Sequence, residues 1–393
     1  MKRILKLSVL CVCIVVVSCK STDTAKTHII NFPEAIDNIG LINLSEVAKS
    51  IRYVPLETRG DALVGESPRI SYDGKHIVVA DYQSGIIKVF DNNGKFIRSI
   101  NRVGRGSEEF LPMITILSIF NENIVVMTER EIVEYDIYGN FVRKVAVPNV
   151  EGYRVGNPIM IGENRYAASL VDFTSGNKEY CAVVYDSLSN IDQLITVSGI
   201  SGPKAMSGGG IGGAQTFGVI PVARLFQYGD TFRLYYPESE EILSVDKSNV
   251  MDTVYVIEYG EYKIESNLSP DSRYIQLTSF LESENFLFMS AYTFATITTT
   301  GSHRMNFLYD KEAKKTSVLY DKAESKYGFK DDIGNGPEFW PRSTFGGKMV
   351  LSDISALSLI EFAENNTVSK ELEKIVSAID ENSNPVIAIV ELK

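Results

Sequence analysis

The chain has 393 residues, of which 39 are basic and 50 acidic, for a formal net charge of −11. A field of that sign works against nucleic acid, whose binding depends on phosphate neutralisation by Lys and Arg. No basic block with interleaved aromatics offsets it, so no nucleic-acid partner is expected. The three histidines, His28, His76 and His303, show no ligand spacing with one another or with Cys181, and no metal centre of the zinc type is expected.

Lys2, Arg3 and Lys6 open the chain, and residues 7–17 are almost wholly apolar. That grammar is an export signal, and the run is shorter than the ~20 residues that cross a bilayer. It ends in Val16-Val17-Ser18-Cys19, which resembles the lipobox of bacterial lipoproteins. The resemblance implies cleavage of residues 1–18, a lipid on Cys19, and an exported chain held at the bacterial envelope, at the outer membrane, with the membrane as its partner. Several acyl chains anchor stably where one is marginal. Cys11 and Cys13 leave with the signal and Cys19 is acylated, so Cys181 has no disulfide partner. The mature chain keeps 36 basic and 50 acidic residues, a net charge of −14. Residues 19–35 read as the lipidated cysteine and a tether, and 36–393 as one folded domain.

From there the chain reads as strands almost throughout. After Asp73-Gly74 come strands at 76–81 and 86–91, a hairpin turn at Asn92-Asn93-Gly94, and a strand at 95–100. The next unit repeats this with strands at 123–128, 132–136 and 141–147, and segments 89–98 and 134–143 align without a gap. Weaker copies open near Asn164, Gly229, Asn285 and Gly347, giving six units. A repeat of this length with three or four strands is the signature of propeller blades. The expected fold is therefore all-β, a six-bladed β-propeller. Leu372, Ile375, Val376 and Ile379 mark one face of a short C-terminal helix capped by Ser369. The last strand, 386–391, or the early one at 51–56, is expected to close the ring, since open edges are a liability. The glycine-rich stretch 207–213 is followed by Ala214-Gln215-Thr216 rather than Lys-Ser/Thr, so it reads as a flexible loop between blades, not a phosphate cradle.

Tyr53-Val54-Pro55-Leu56-Glu57-Thr58, Arg102-Val103-Gly104-Arg105-Gly106 with Glu109-Phe110, Gly336-Pro337 with Phe339-Trp340-Pro341, and the closing Asn384-Pro385-Val386 together resemble the six-bladed β-propeller lipoproteins of Bacteroidetes, distant relatives of the NHL-repeat propellers. The resemblance implies export, lipid anchoring and a six-bladed ring. It implies no settled activity, and it carries over no catalytic residue.

One constellation stands out. When the units are aligned on Ile77, Ile124, Tyr166, Phe232, Phe286 and Val350, the residues eight positions earlier are Arg69, Ile116, Pro158, Arg224, Thr278 and Arg342. If the strands so aligned lie innermost, Arg69, Arg224 and Arg342 gather at one mouth of the channel. Guanidinium groups there suit an anionic small molecule or glycan; the alternative is that each pairs with an acidic neighbour and locks blades together. Trp340, with Phe339, either stacks on a ring of such a ligand or wedges blade five against blade six. No cofactor is expected. An oxygen-only calcium ion at a channel mouth needs no histidine, and Asp331 and Asp332 are the carboxylates placed for it or for a solvated turn. No G-x-S-x-G elbow is present. The leading expectation is a non-enzymatic binding or scaffold protein taking an anionic ligand or an envelope protein partner. The alternative is a lyase or hydrolase acting on an anionic sugar or lactone at the channel mouth, because propellers host both classes.

Overall fold

The first unit folds as an antiparallel meander of four strands, Arg69–Tyr72, His76–Ala80, Ile87–Asp91 and Phe96–Ile100. Its hairpin tip shows why the repeat is legible. Asp91 Oδ1 accepts the backbone N–H groups of Asn93 and Lys95, each within 2.9 Å, an Asx turn built by one carboxylate. Gly94 sits at φ +82°, and a Cβ there would stand 2.2 Å from the Pro55 carbonyl oxygen. The same carboxylate device recurs at Asp136, Asp186, Asp246 and Asp310.

The computed structural model describes residues 27–65, 68–172, 179–198, 200, 204–210, 213–219, 222–237, 239–263, 273–295, 303–319 and 327–393. Cys19 and the expected export signal lie outside these. Six blades are present. Blade 2 comprises Ile116–Phe120, Asn123–Met127, Glu131–Asp136 and Phe141–Ala146. Blade 3 comprises Arg154–Gly162, Arg165–Val171, Ala182–Asp186 and Ile191–Ile195. Blade 4 comprises Arg224–Tyr228, Thr231–Tyr235, Glu241–Val245 and Met251–Glu258. Blade 5 comprises Arg273–Glu282, Phe286–Ala295, His303–Asp310 and Lys315–Leu319. Blade 6 takes Ser343–Phe345, Met349–Ile354 and Val386–Leu392 from the end of the chain and Ala48–Pro55 from its beginning. Both expected closing strands thus meet, with Tyr53 opposite Ala388. The apolar clusters lie between blades, where the alternate faces of neighbouring sheets interdigitate.

Three readings of the sequence need correction. The strands taken as innermost are the second of each blade; the first strands, such as Arg69–Tyr72 and Ser343–Phe345, are the ones that touch their counterparts in adjacent blades around the axis. The tether does not extend to residue 35. His28–Asn31 is a fifth strand on blade 4, parallel to Met251–Glu258, and helix α1 (Phe32–Asp37) follows it with Phe32 fully buried. The glycine-rich stretch belongs to an antiparallel hairpin, Lys204–Gly210 with Gly213–Val219, in the connection from blade 3 to blade 4; Ile211 and Gly212 lie outside the described residues. His303 opens the third strand of blade 5.

Helix α2 (Leu44–Val47) leads into the closing strand. Helices α3 (Ala356–Asn365) and α4 (Lys370–Val376) fill the connection between the second and third strands of blade 6. Ser369 caps α4 as expected, accepting from the Leu372 N–H; α3 was not foreseen.

The two acidic residues after blade 5 serve the closure. Buried Asp331 accepts from the Tyr53 hydroxyl and from the N–H groups of Ile333, Gly334 and Gly336. Asp332 holds the start of α2 through the Ser45 N–H and hydroxyl. Gly336 is forced, because a Cβ there would lie 2.0 Å from the Tyr53 oxygen. Tyr53→Phe removes one donor from a buried carboxylate and is expected to lower stability by about 1–3 kcal/mol, read as a lower urea midpoint at unchanged slope. An unmoved midpoint would mean that the backbone donors alone satisfy Asp331.

Candidate functional site

Each blade's innermost strand starts at the same face of the ring, called the upper face; the hairpin tips at Asp91 and its equivalents lie on the lower face. Arg69 and Arg224 are the first residues of the innermost strands of blades 1 and 4, and Arg342 immediately precedes that of blade 6. The arithmetic of the repeat therefore does bring these three arginines to one face. They lie in or against the innermost strands themselves, one strand earlier than the sequence alignment assumed.

Their environments differ. Half-buried Arg69 places its guanidinium 5.3 Å from the centre of the Tyr82 ring, and its Nε donates to the Ile114 carbonyl at 3.4 Å. Among the described residues no carboxylate pairs with it. Desolvation, and then the like charge of Arg342, lowers its pKa below the ordinary arginine value. Arg224, on the far side of the axis, is solvent-exposed and has no ion pair among the described residues, although the surrounding protein lowers its pKa too. Arg342 is different: its Nη1 donates to Asp353 Oδ1 at 2.6 Å, so its charge is compensated within its own blade. A half-buried, unpaired guanidinium such as that of Arg69 favours any anion that can supply the missing carboxylate, phosphate or sulfate oxygens.

The remaining aligned positions are not charged. Ile116 is apolar and partly exposed, and Thr278 donates its hydroxyl to the Ser290 carbonyl at 3.0 Å. Exposed Leu111 and Met113 precede Ile116 on the upper face. Trp340 lies between blades 5 and 6, its ring stacked on Phe329 at 5.9 Å and edge-on to Phe288, with Nε1 donating to Ser290 Oγ at 3.1 Å. One ring face and its only polar atom are thus engaged by protein.

Two features at the upper face were missed. Arg154 also begins an innermost strand, that of blade 3, but it reaches Glu129 at 2.7 Å. That strand is nine residues long and its pairing has two irregularities, which place Arg154 twelve positions before Tyr166 instead of eight. The connection from blade 1 to blade 2 carries Gly104-Arg105-Gly106 with Glu109-Phe110, and the connection from blade 5 to blade 6 carries Gly334-Asn335-Gly336 with Glu338-Phe339, the same pattern in a shorter form. In the first, Glu109 accepts from the Gly106 N–H at 2.8 Å, which is turn construction.

The strongest buried polar cluster lies elsewhere, between blades 4 and 5. Arg233 grips Glu282 through Nε at 2.8 Å and Nη2 at 3.2 Å, and Lys311 Nζ reaches the same carboxylate at 2.7 Å. Tyr255 donates its hydroxyl to Glu282 at 2.7 Å, and the Tyr228 ring lies 4.6 Å from both cations. Every partner is engaged, so the cluster joins blades rather than presenting a site.

Comparison with known proteins bears on the whole chain. A family model described as "Domain of unknown function (DUF4934)" matches residues 27–391. The chain belongs to the DUF4934 family. The match begins at the residue before the strand on blade 4, so the N-terminal segment is part of the family domain. A solved structure of a protein from Bacteroides fragilis NCTC 9343, provisionally named as exported, aligns with a TM-score of 0.67 at 15% identity over 93% of this chain and 99% of that one. At that identity the likeness shows the fold. A protein of unknown function from Bacteroides caccae aligns at a TM-score of 0.37 and 12% identity over 66% and 84% of the two chains. Virginiamycin B lyase from Staphylococcus aureus aligns at a TM-score of 0.35 and 10% identity over 87% and 99%. No activity is read from either. No curated protein matches this sequence.

Proposed function

We propose that this member of the DUF4934 family is a binding protein of the bacterial envelope, lipid-anchored through Cys19, that takes a small anion or the acidic group of a glycan at the upper mouth of its propeller. The observation that carries the reading is the pair Arg69 and Arg224, two guanidinium groups at the same face without a carboxylate partner among the described residues. Half-buried charges such as that of Arg69 are ordinarily paired, and exposed Arg224 is free to turn toward the same ligand. Arg342 adds positive potential beside Arg69 while keeping its own partner, and Leu111, Met113 and Ile116 give a ligand's apolar part something to cover.

The test is thermal unfolding with glucuronate and sulfate as probes. An anion present at a hundred times its Kd adds about 2.7 kcal/mol to the folded state, so the melting temperature rises with probe concentration. In the double variant Arg69→Gln/Arg224→Gln that rise is expected to vanish, with the probe-free melting temperature unchanged or slightly higher, because one substitution removes a half-buried unpaired charge and the other an exposed one. Equal rises in both proteins would overturn the site.

A further inference from the structure

We infer that the lower face of the propeller is the one apposed to the lipid bilayer, with Tyr138, Leu188 and Val250 resting on the membrane surface and the arginine-bearing mouth turned away from it. The inference rests on the lipid anchor at Cys19 proposed above and adds to it an orientation and a contact surface.

The first support is the direction in which the N-terminal segment leaves the fold. His28–Asn31 runs parallel to Met251–Glu258, with His28 opposite Tyr255 and Asn31 opposite Glu258. Met251 follows directly on the lower-face tip at Asp246, so backward along His28–Asn31 the chain heads toward that tip. Going backward from His28 it continues the same way: the Thr27 hydroxyl reaches the Thr253 carbonyl at 3.4 Å. Residues 20–26 can span at most about 25 Å when fully extended. A lipid on Cys19 at the end of so short a lead keeps the lower side of blade 4 close to the bilayer.

The second support is independent of the first. The lower-face tips are built alike, yet their outermost side chains are not. In blades 2 and 3 they include Tyr138 and Leu188, two positions past the turn aspartate, and in blade 4 Val250, four positions past it; these are 66%, 80% and 53% exposed. In blades 1 and 5 the same two positions hold Asn93 and Lys95, and Glu312 and Lys314. The three apolar tips form a contiguous arc ending at blade 4, where the chain exits. A leucine left four-fifths exposed on an otherwise polar turn loses nothing by entering the headgroup region, and tyrosine favours that depth. Arg98 lies 5.1 Å from the Tyr138 ring centre, a cation placed to meet lipid phosphates. Three side chains of this kind make a weak second contact, the complement that a lipid anchor uses. A net charge of −14 for residues 19–393 makes zwitterionic lipid the suitable probe.

The experiment uses the full chain, processed and acylated in a bacterial host and reconstituted into phosphatidylcholine vesicles, with Leu188→Cys on the lower face or Leu111→Cys on the upper face labelled with a fluorescent maleimide. Cys181 stays unlabelled because it is buried and burial pushes its thiol up to about 12. Acylation is read first, by mass and by flotation with the vesicles. A chain that is not acylated refutes the anchor, and the orientation falls with it. With the anchor confirmed, a nitroxide lipid is expected to quench the label at 188 strongly and that at 111 little. Equal quenching, or stronger quenching at 111, overturns the orientation and leaves the anchor standing.

Discussion

Glu282→Gln is expected to destabilise the protein by about 3–5 kcal/mol, the loss typical of breaking a buried ion pair from one side. The carboxylate is almost wholly buried and balances two cations at once, Arg233 and Lys311. The amide keeps the shape but presents N–H groups where two donors already point, and it leaves both positive charges in a region too dry to screen them. Tyr255 loses a charged acceptor at the same time. The measurement is urea unfolding of the wild type and the variant. A loss below about 1 kcal/mol would mean that the cluster behaves as a solvated surface pair, against the burial seen between blades 4 and 5. Replacing Glu282, Arg233 and Lys311 together by apolar residues of similar volume should recover much of the loss, because the cost of one-sided removal lies in the charges left behind.

Phe32→Ala is expected to cost about 3–5 kcal/mol, as for other fully buried aromatic side chains. Phe32 lies outside every blade, yet its ring is 4.4 Å from that of Phe307 and 5.3 Å from that of Tyr259. The backbone beside it is held as well: the Asn31 N–H donates to Thr316, and the Asn31 side chain to Glu258. Residues 28–37 therefore strap blade 4 to blade 5 before the chain goes on to close blade 6. A variant as stable as the wild type would mean that the strap is an ornament on a ring that closes without it. A large loss would instead make the early segment part of the domain, as the family match from residue 27 implies.

What was legible in the sequence follows from how local its causes are. An aspartate that builds a turn with its own neighbours writes itself into five hairpins, so repeat length and blade number could be read off. A serine cap followed by apolar residues at i, i+3 and i+4 gave α4. The innermost strand of blade 6 escaped because it is short; Ser343–Phe345 has three residues, too few for an alternation to show. The strand His28–Asn31 escaped because its partner lies more than 220 positions away, with His28 against Tyr255, and no local signal marks a parallel pairing. The arginine cluster was half legible. Repeat spacing placed Arg69, Arg224 and Arg342 at one face, but only the fold tells the two unpaired groups from Arg342, whose partner Asp353 extends from the adjacent strand. Asp331 and Asp332 looked available for a cation, and the fold commits both to hydrogen bonds that close the ring.

The most direct test of the proposed anion site is a crystal structure of residues 20–393 grown with selenate, a sulfate analogue whose selenium is located by anomalous scattering. The expected result is an anomalous peak at the upper mouth within hydrogen-bonding distance of Arg69 or Arg224, absent from crystals of Arg69→Gln/Arg224→Gln. Selenate bound only at other surfaces, with both arginines turned onto carboxylates, would contradict it.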